Sequence, residues 1–262
     1  MKLKRTYKYR IYPNREEKSI LDKTLNTCRI LYNDCLTERR DAWQSCRKHI
    51  NYYDQANQLK EIKTFDEDLK EVHSQVIQDV LKRIDKAFKN FFRRVKRREK
   101  AGYPRYKPRS RYNSFTFPQN GFKLENRKLI LSKIGSVNIK KYRDIPKDAN
   151  IKTCAIEKDL DRWYACFSVE VEVEIEEPNY NEEITSQNPI GIDLGISHLI
   201  TLSNGETKDN PKDLSKSEGK LKRKQRKLNK ARKRSNNRGK RRFEIAKTHR
   251  KVRVRESIYF IS

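Results

Sequence analysis

Long apolar runs are missing from this chain. Only 34% of its 262 residues are hydrophobic, and no run approaches the roughly 20 apolar residues that a membrane span needs. The first residues also lack the apolar stretch of a signal peptide. We therefore expect an intracellular, cytoplasmic protein that has no membrane partner.

Paired cysteines are missing as well. None of the five cysteines forms a C-x-x-C pair, which argues against a zinc ribbon, and we expect no zinc module in this chain. Cys28 and Cys35 are seven residues apart, a spacing that a shared helix face explains better than a metal does. The pattern favours free, buried thiols in a reducing compartment.

Acidic residues are scarce relative to basic ones. The chain has 63 Lys+Arg against 35 Asp+Glu, a formal net charge of +28. The excess is clustered, with 13 Lys+Arg and two acids in residues 83–111 and 21 Lys+Arg and three acids in residues 212–255. A polyanion is the expected ligand, and its binding should weaken steeply as salt is added.

Hydrophobic periodicity divides the chain into sheet and helix segments. Alternation over residues 3–11 predicts a strand with a basic outer face, and spacings of three and four predict one or two helices over 15–48 and another over 74–98. Further strands are predicted near residues 114–117, 128–140, 151–157 and 163–175. The last of these has an acidic face, which we interpret either as a solvated surface or as one that repels phosphate.

The C-terminal third begins with an apolar strand that carries one acid, Asp193. A polar linker is predicted at 178–189, an antiparallel neighbour at 198–202, and a turn at Asn204-Gly205 into a third short strand. Residues 212–255 have too few apolar positions for a core of their own, so a long basic hairpin or helix pair is expected there.

Strand, hairpin and basic helix follow one another as they do at the start of an RNase H-like domain. In such a domain the first-strand aspartate binds two divalent ions that activate water and stabilise the leaving oxygen. Mg²⁺ suits a hard carboxylate ligand, so Asp193 is the candidate catalytic and metal-binding residue. An isolated structural aspartate would explain the same motif.

Several motifs in the same order resemble TnpB, the OrfB-type insertion-sequence family related to type V CRISPR effectors. They are Tyr7-Lys8-Tyr9-Arg10-Ile11-Tyr12-Pro13, Lys86-Ala87-Phe88-Lys89-Asn90-Phe91-Phe92, Gly102-Tyr103-Pro104-Arg105-Tyr106-Lys107, Gly191-Ile192-Asp193-Leu194-Gly195-Ile196, Leu202-Ser203-Asn204-Gly205, Gln225-Arg226-Lys227-Leu228 and Lys247-Thr248-His249-Arg250-Lys251. The resemblance extends from residue 1 to about residue 256.

The resemblance implies an α+β protein that is a transposon-encoded, RNA-guided DNA endonuclease with guide RNA and DNA as partners. Its barrel-like wedge (β) domain would comprise residues 1–14 and 110–180, with a helical recognition lobe inserted at 15–109. Residues 189–262 would form the N-terminal part of a RuvC-like (RNase H-like) nuclease domain with its basic helical hairpin.

The resemblance also implies two further catalytic acids beyond Asp193, neither of which can be placed in this sequence. We expect the chain to be C-terminally truncated, by decay or as a retained shortened binder, and unable to cleave DNA alone. An incomplete Mg²⁺ site and a poorly folded C-terminal third are the corresponding expectations. Oligomeric state is left open.

The candidate nucleic-acid contacts combine cations for phosphate with polar groups for base edges. Tyr52, Ser74 and Gln78 align with the region that the family uses to read bases. Tyr7, Tyr9, Tyr103 and Tyr106 are expected either to stack on bases or to pack in the core. The phosphate candidates are Arg5, Lys8, Arg10, Arg93, Arg94, Arg97, Arg105, Lys107, Arg223, Arg226, Lys227, Arg234 and Arg238.

Two other functions stay open from the sequence. One is a nuclease-dead repressor that depends on guide RNA and occupies DNA without cutting it. The other is a general basic RNA-binding protein, which would need neither Asp193 nor base-reading residues.

Overall fold

The computed structural model of the protein describes residues 2–172, 190–195, 198–209 and 213–259. They divide into two compact units, residues 1–175 and residues 176–262. The mixed helix and sheet content expected from the sequence is confirmed. The polar linker predicted at 178–189 and the last residues of the strand predicted at 163–175 lie outside the described residues.

The first unit contains a seven-stranded antiparallel sheet in the order β2-β6-β7-β1-β5-β4-β3. The rings of Phe117 and Phe122, which belong to the two edge strands, are 6.5 Å apart, so the sheet is nearly closed. The strands are β1 (Lys2–Tyr12), β2 (Ser114–Phe117), β3 (Phe122–Glu125), β4 (Lys128–Leu131), β5 (Gly135–Lys140), β6 (Asn150–Asp159) and β7 (Arg162–Glu172).

Buried and exposed side chains alternate along the central strand β1 of this sheet. Tyr7, Tyr9 and Ile11 of β1 are buried while Lys8 between them is exposed, as the period of two predicts. β7 pairs with β1 in a register that places Tyr9 opposite Ala165. Tyr7 and Tyr9 therefore pack in the core rather than face a ligand.

The segment predicted as one strand at 128–140 is two strands, β4 and β5. A tight turn separates them, with Lys133 at φ 68° and Gly135 at φ 114°, a left-handed conformation that glycine adopts without strain. β3 was not predicted, because an alternation of only four residues, two half-buried and two exposed, is too short to recognise.

Four helices belong to the first unit. The segment 15–48, predicted as one or two helices, contains a single helix that ends at Cys46 and whose N-terminus carries a capping box between Asn14 and Glu17. The helices are α1 (Arg15–Cys46), α2 (Tyr52–Phe65), α3 (Glu67–Lys70) and α4 (Ser74–Lys96). None of the described helices is long and apolar enough to cross a bilayer.

One hydrophobic core joins these helices to the sheet. Leu21 of α1, Leu81 of α4 and Phe115 of β2 are all fully buried within it. The apolar stripe of α4 is buried only as far as Ile84. The apolar spacing that predicted a helix over 74–98 continues to Val95, but Phe92 and Val95 are 52% and 50% exposed, because the helix extends beyond the core.

The acidic face of β7 is occupied by ion pairs between strands. Glu170 lies 3.6 Å from Lys4 of β1 and 3.2 Å from Lys152 of β6. Hydrogen bonding to Lys152 and the charges of both lysines hold the pKa of Glu170 below its ordinary value. The face is thus a solvated surface in which neighbouring cations balance the acid.

The second unit has a three-stranded antiparallel sheet and a helix pair. Its elements are β8 (Ile192–Asp193), β9 (His198–Leu202), β10 (Thr207–Asp209), α5 (Asp213–Asn229) and α6 (Asn236–Tyr259). Gly205 adopts φ 90° in the turn between β9 and β10. The predicted hairpin, third strand and basic helix pair are confirmed.

All five cysteines are free. Cys28 and Cys35 are buried on one face of α1, as their spacing predicts, and Cys154 is buried in β6. The expectation of burial is wrong for Cys46, which is exposed at the end of α1 beyond the core.

Candidate nucleic-acid interface

Arg83 fixes α4 to the sheet and thereby positions the basic end of this helix. Its Nη1 donates to the Ser114 carbonyl and its Nη2 to the Thr116 hydroxyl, both at 2.7 Å, while Nε donates to Asp79 at 2.7 Å. Arg93, Arg94 and Arg97 then project from the last turns and are exposed. Their neighbouring acid is Glu99, at 3.8 Å from Arg94 and 4.0 Å from Arg97, which leaves the site strongly basic.

The segment 102–107 is attached to α1 by polar contacts. Asn33 accepts a hydrogen bond from the Lys107 backbone N–H at 2.8 Å and donates to its carbonyl at 3.1 Å. The hydroxyls of Thr37 and Tyr106 are 3.0 Å apart. Arg105 and the rings of Tyr103 and Tyr106 stay exposed, so this segment presents a cation and two aromatic surfaces.

A basic cleft of about 360 Å³ lies between this segment and α4. It is lined by Lys86, Lys107 and Arg111 together with Tyr112. The Tyr112 hydroxyl is buried without a hydrogen-bond partner among the described residues, and burial raises its pKa. The cations Lys86, Lys107 and Arg111 that line the cleft suit phosphate oxygens.

The three β1 candidates lie in different surroundings. Lys8 donates to Glu157 at 2.6 Å, and Arg10 lies over the Tyr12 ring at 4.7 Å, whereas Arg5 is exposed. Partial burial by itself lowers the pKa of Lys8, but hydrogen bonding to Glu157 and its negative charge raise the pKa overall. Phosphate would have to displace Glu157 to reach Lys8, and Arg10 is half-buried, so Arg5 is the most accessible of the three cations.

Tyr52, Ser74 and Gln78 are not gathered into one pocket. Tyr52 begins α2 and packs its ring against Tyr53 at 5.3 Å, and it lines a groove that also contains Lys82, Lys86 and Lys89 of α4. Ser74 and Gln78 are exposed one turn apart at the start of α4. Tyr52 thus lies beside the middle of α4, and the other two lie at its N-terminus.

In the second unit, α5 and α6 enclose a cationic groove of about 510 Å³. The structure brings together three predicted contacts there, Arg223, Arg226 and Lys227, and adds others that sequence reasoning did not select. The groove's cations are Lys220, Arg223, Lys224, Arg226, Lys227 and Lys251. Lys224 is held toward α6 by Thr248 at 3.1 Å and Glu244 at 3.2 Å.

Arg234 and Arg238 lie apart from this groove, at the turn between the helices. Arg238 donates through Nη1 to the carbonyls of Leu228 and Ala231, at 3.1 and 2.8 Å. It therefore satisfies carbonyls at the end of α5, a structural role that the sequence did not reveal. Arg234 is exposed and has φ 63°.

Asp193 lies in the two-residue strand β8 and is exposed. Its neighbours Ile192 and Leu194 are also exposed, at 67% and 59%. Within the part of the chain that the structure describes, no group of three His, Cys, Asp or Glu side chains is placed to hold a metal ion. Asp193 fits Mg²⁺ as a hard oxygen ligand, but the described residues do not assemble a full coordination set around it.

The structure therefore defines a strongly basic α+β protein with cation-lined clefts in both units, a class suited to polyanion binding. Family models match both ends of the chain: residues 1–48 match one described as "Helix-turn-helix domain", and residues 167–257 match one described as "Probable transposase". Both models are of the OrfB/IS605 group. These matches confirm the resemblance to the OrfB-type family that the TnpB-like motifs predicted. Despite its description, the first model covers one strand and one uninterrupted helix here.

Two curated relatives match nearly the whole chain. One, from Streptomyces pristinaespiralis, is named an RNA-guided DNA endonuclease and is 31% identical over 95% of this chain. The other is the RNA-guided DNA endonuclease InsQ from Escherichia coli (strain K12), 30% identical over 95% of this chain. The chain spans 60% of the length of each relative.

Two solved structures are also similar in part. The Cas12f1-sgRNA-target DNA complex matches 98% of this chain and 67% of that chain at 15% identity and a TM-score of 0.39. The CRISPR-Cas12f ternary complex matches 92% of this chain and 58% of that chain at 12% identity and a TM-score of 0.40. These scores are too low to establish a common fold.

Proposed function

We propose that this chain binds a guide RNA and its DNA target as a member of the RNA-guided DNA endonuclease family. The observation that carries the proposal is the cationic groove between α5 and α6, which collects Arg223, Arg226 and Lys227 with three further cations. The basic cleft beside α4 supplies a second surface of the same kind. The names of the curated relatives support nucleic acid as the polyanion.

The phosphate contacts follow from ordinary electrostatics. Each cation that neutralises a phosphate releases condensed counterions, so binding falls with salt at a log-log slope of about −0.7 per contact on single strands and −0.9 on duplex DNA. Arg223 and Arg226 each present a planar guanidinium that can donate two parallel hydrogen bonds to a phosphate, whereas Lys227 presents a compact ammonium charge. Such contacts hold a nucleic acid in place without reading its sequence.

The groove is tested by neutralising Lys220, Arg223 and Lys227 to Gln and measuring RNA binding at several salt concentrations. We expect the magnitude of the slope to fall by about 2, because three single-strand contacts are lost. A matched variant neutralises Lys4, Lys123 and Lys152, which lie beside Glu170 or Glu125. If the slope falls equally in the two variants, the groove is not the binding site and the effect is one of net charge alone.

Asp193 is proposed as one carboxylate of a Mg²⁺ site in a RuvC-like domain. When bound, the ion would activate water and stabilise the leaving oxygen of the phosphodiester; this chain's own contribution is to place the Asp193 carboxylate at the end of β8. Replacing Asp193 with Ala should abolish any Mg²⁺-dependent cleavage of guide-matched DNA while RNA binding stays unchanged. The control is Asp209→Ala, since Asp209 is an exposed acid of the same sheet that contacts His198.

Binding without cleavage is the second candidate. It is favoured by the exposure of Asp193 and by the lack of partner ligands within the described ranges. The purified chain would then shift guide-matched DNA in a gel without cutting it in Mg²⁺, and Asp193→Ala would change nothing. The RNA that co-purifies with the chain tests both candidates, because both require one defined guide transcript. Bulk ribosomal RNA would instead support a general RNA-binding protein.

A further inference from the structure

An aromatic pocket opens between the C-terminal part of α1 and the second half of α4. Its volume is about 470 Å³, within the range of roughly 300–1,000 Å³ that small ligands occupy. Its walls come from Trp43, Phe88, Phe91, Phe92 and Tyr103, and residues 48–50 close one side. Trp43 and Phe92 are each 52% exposed, an unusual surface for a chain with a net charge of +28.

The rings form an ordered wall. Tyr103 contacts Phe88 at 5.6 Å and Phe91 at 5.4 Å, both edge to face. Phe88 stacks on Phe92 at 6.3 Å. These contacts fix the ring planes before any ligand arrives, and a flat ligand loses little freedom when it stacks on a prearranged surface.

Arg39 lies at the base of this pocket with its side chain only 5% exposed. Its Nε donates to Gln55 at 2.9 Å and its Nη1 lies 3.6 Å from Asp85. Its Nη2 is buried and has no hydrogen-bond partner within the described part of the chain. Buried donors are nearly always paired, so this nitrogen indicates an acceptor that the protein itself does not provide.

The charge around the pocket indicates which kind of ligand supplies that acceptor. The pocket lining includes Lys48 and no acid. The adjoining groove shares Arg39, Phe88 and Phe92 with the pocket and adds three lysines and one acid, Lys82, Lys86, Lys89 and Asp85. Asp85 pairs with Lys89 at 2.7 Å, so the groove keeps a net positive charge. A suitable occupant is flat and apolar on its faces, has an acceptor on its edge and is attached to an anionic chain.

We propose that the aromatic pocket binds one unpaired nucleobase of a single strand, stacked on the exposed rings and with a carbonyl oxygen directed to Arg39. Lys82 and Lys86 of the adjoining groove then contact the flanking phosphates. The inference rests on the proposed nucleic-acid-binding function, because a strand must be present to supply the base.

The test measures how the full chain binds short single-stranded oligouridine and an abasic strand of the same length. We expect the oligouridine to bind more tightly, and Trp43→Ala and Phe92→Ala to weaken its binding on the order of tenfold while abasic binding stays unchanged. Both side chains are half exposed, so the variants should fold. The matched control is Phe65→Ala, an aromatic of α2 that is 72% exposed and does not line the pocket.

Tryptophan emission gives a second readout. The chain has two tryptophans, and Trp163 is 2% exposed, so quenching by oligouridine should come from Trp43 and disappear in Trp43→Phe. If the variants weaken oligouridine and abasic binding equally, or weaken neither, the pocket does not bind a base, while the proposed function stands. Binding of neither strand by the unmodified chain would overturn both. Displacement of oligouridine by an acidic peptide lacking aromatic groups would also count against a base.

Discussion

At the scale of single residues, the most constrained polar group is Gln55. It is 2% exposed, accepts from Arg39 at 2.9 Å, and donates to the Cys35 carbonyl at 2.9 Å and to Glu38 at 2.7 Å. Gln55→Leu removes the acceptor of the buried Arg39 Nε and the donor to Glu38 and to the Cys35 carbonyl, so we expect a loss of about 2–4 kcal/mol in the free energy of unfolding. Denaturant titration measures it. Gln58→Leu, on the exposed side of the same helix, should change stability by less than about 0.5 kcal/mol.

Cysteine reactivity should separate exposed from buried thiols. Burial raises the pKa of Cys28 and of Cys35 to about 12. Because the thiolate is the reactive form, on the order of one molecule in ten thousand is reactive at either position at pH 8. Cys46 is exposed and should be alkylated first by iodoacetamide.

Peptide mapping by mass spectrometry of the native protein gives the order of alkylation. Raising the pH from 7 toward 9 should increase labelling at Cys28 and Cys35 only in proportion to their small thiolate fractions. Rapid native labelling at either position would show that α1 opens, contrary to its burial in the core.

At the scale of elements, the attachment of α4 to the sheet depends on the guanidinium group of Arg83. One guanidinium bonds Asp79 on its own helix and two groups on β2. Arg83→Lys keeps the charge but cannot make these bonds together, so we expect a loss of about 2 kcal/mol. Lys82→Arg, at an exposed position beside it, is the matched control. Undiminished stability in Arg83→Lys would mean that apolar packing alone holds the helix.

The sequence predicts elements well where one face is buried and the other solvated. β1, β7, α1 and the first half of α4 meet this condition, and their periodicity located them. β3 and the turn at Lys133 do not, because four residues without a fully buried side chain carry too short a pattern and the turn depends on backbone conformation. The helix pair in the second unit was predictable from charge and spacing, although its groove depends on which sides of α5 and α6 meet.

The candidate sites were predictable in kind but only partly in detail. Asp193 and the basic clusters stand out in the sequence. Arg39 was missed, although it continues the buried face of α1 at three residues beyond Leu36, and a charged residue on such a face is a usable signal. The exposure of Phe92 was not predictable, because apolar spacing alone cannot show where the core ends.

At the scale of the whole molecule, the two units differ in what stabilises them. The first has a large core that includes Tyr9, Phe115 and Phe167. In the described part of the second, the buried apolar side chains are Ile245 and Val252, and residues 212–255 carry 21 cations against three acids. Little apolar burial and strong self-repulsion should make α5 and α6 open more easily than the central sheet.

Hydrogen exchange tests this difference directly. Amides of α5 and α6 should exchange faster than those of β1 and β7, and raising the salt from about 0.1 to about 0.5 M should slow them, because shorter screening lengths weaken repulsion among the cations. Bound RNA should slow them further, since a ligand that binds only the folded form stabilises it. The central sheet, whose strands are joined by balanced pairs such as Glu170 with Lys152, should respond little to salt. Faster exchange in α5 and α6 at high salt would mean that attractive ion pairs, such as Lys224 with Glu244, outweigh the repulsion.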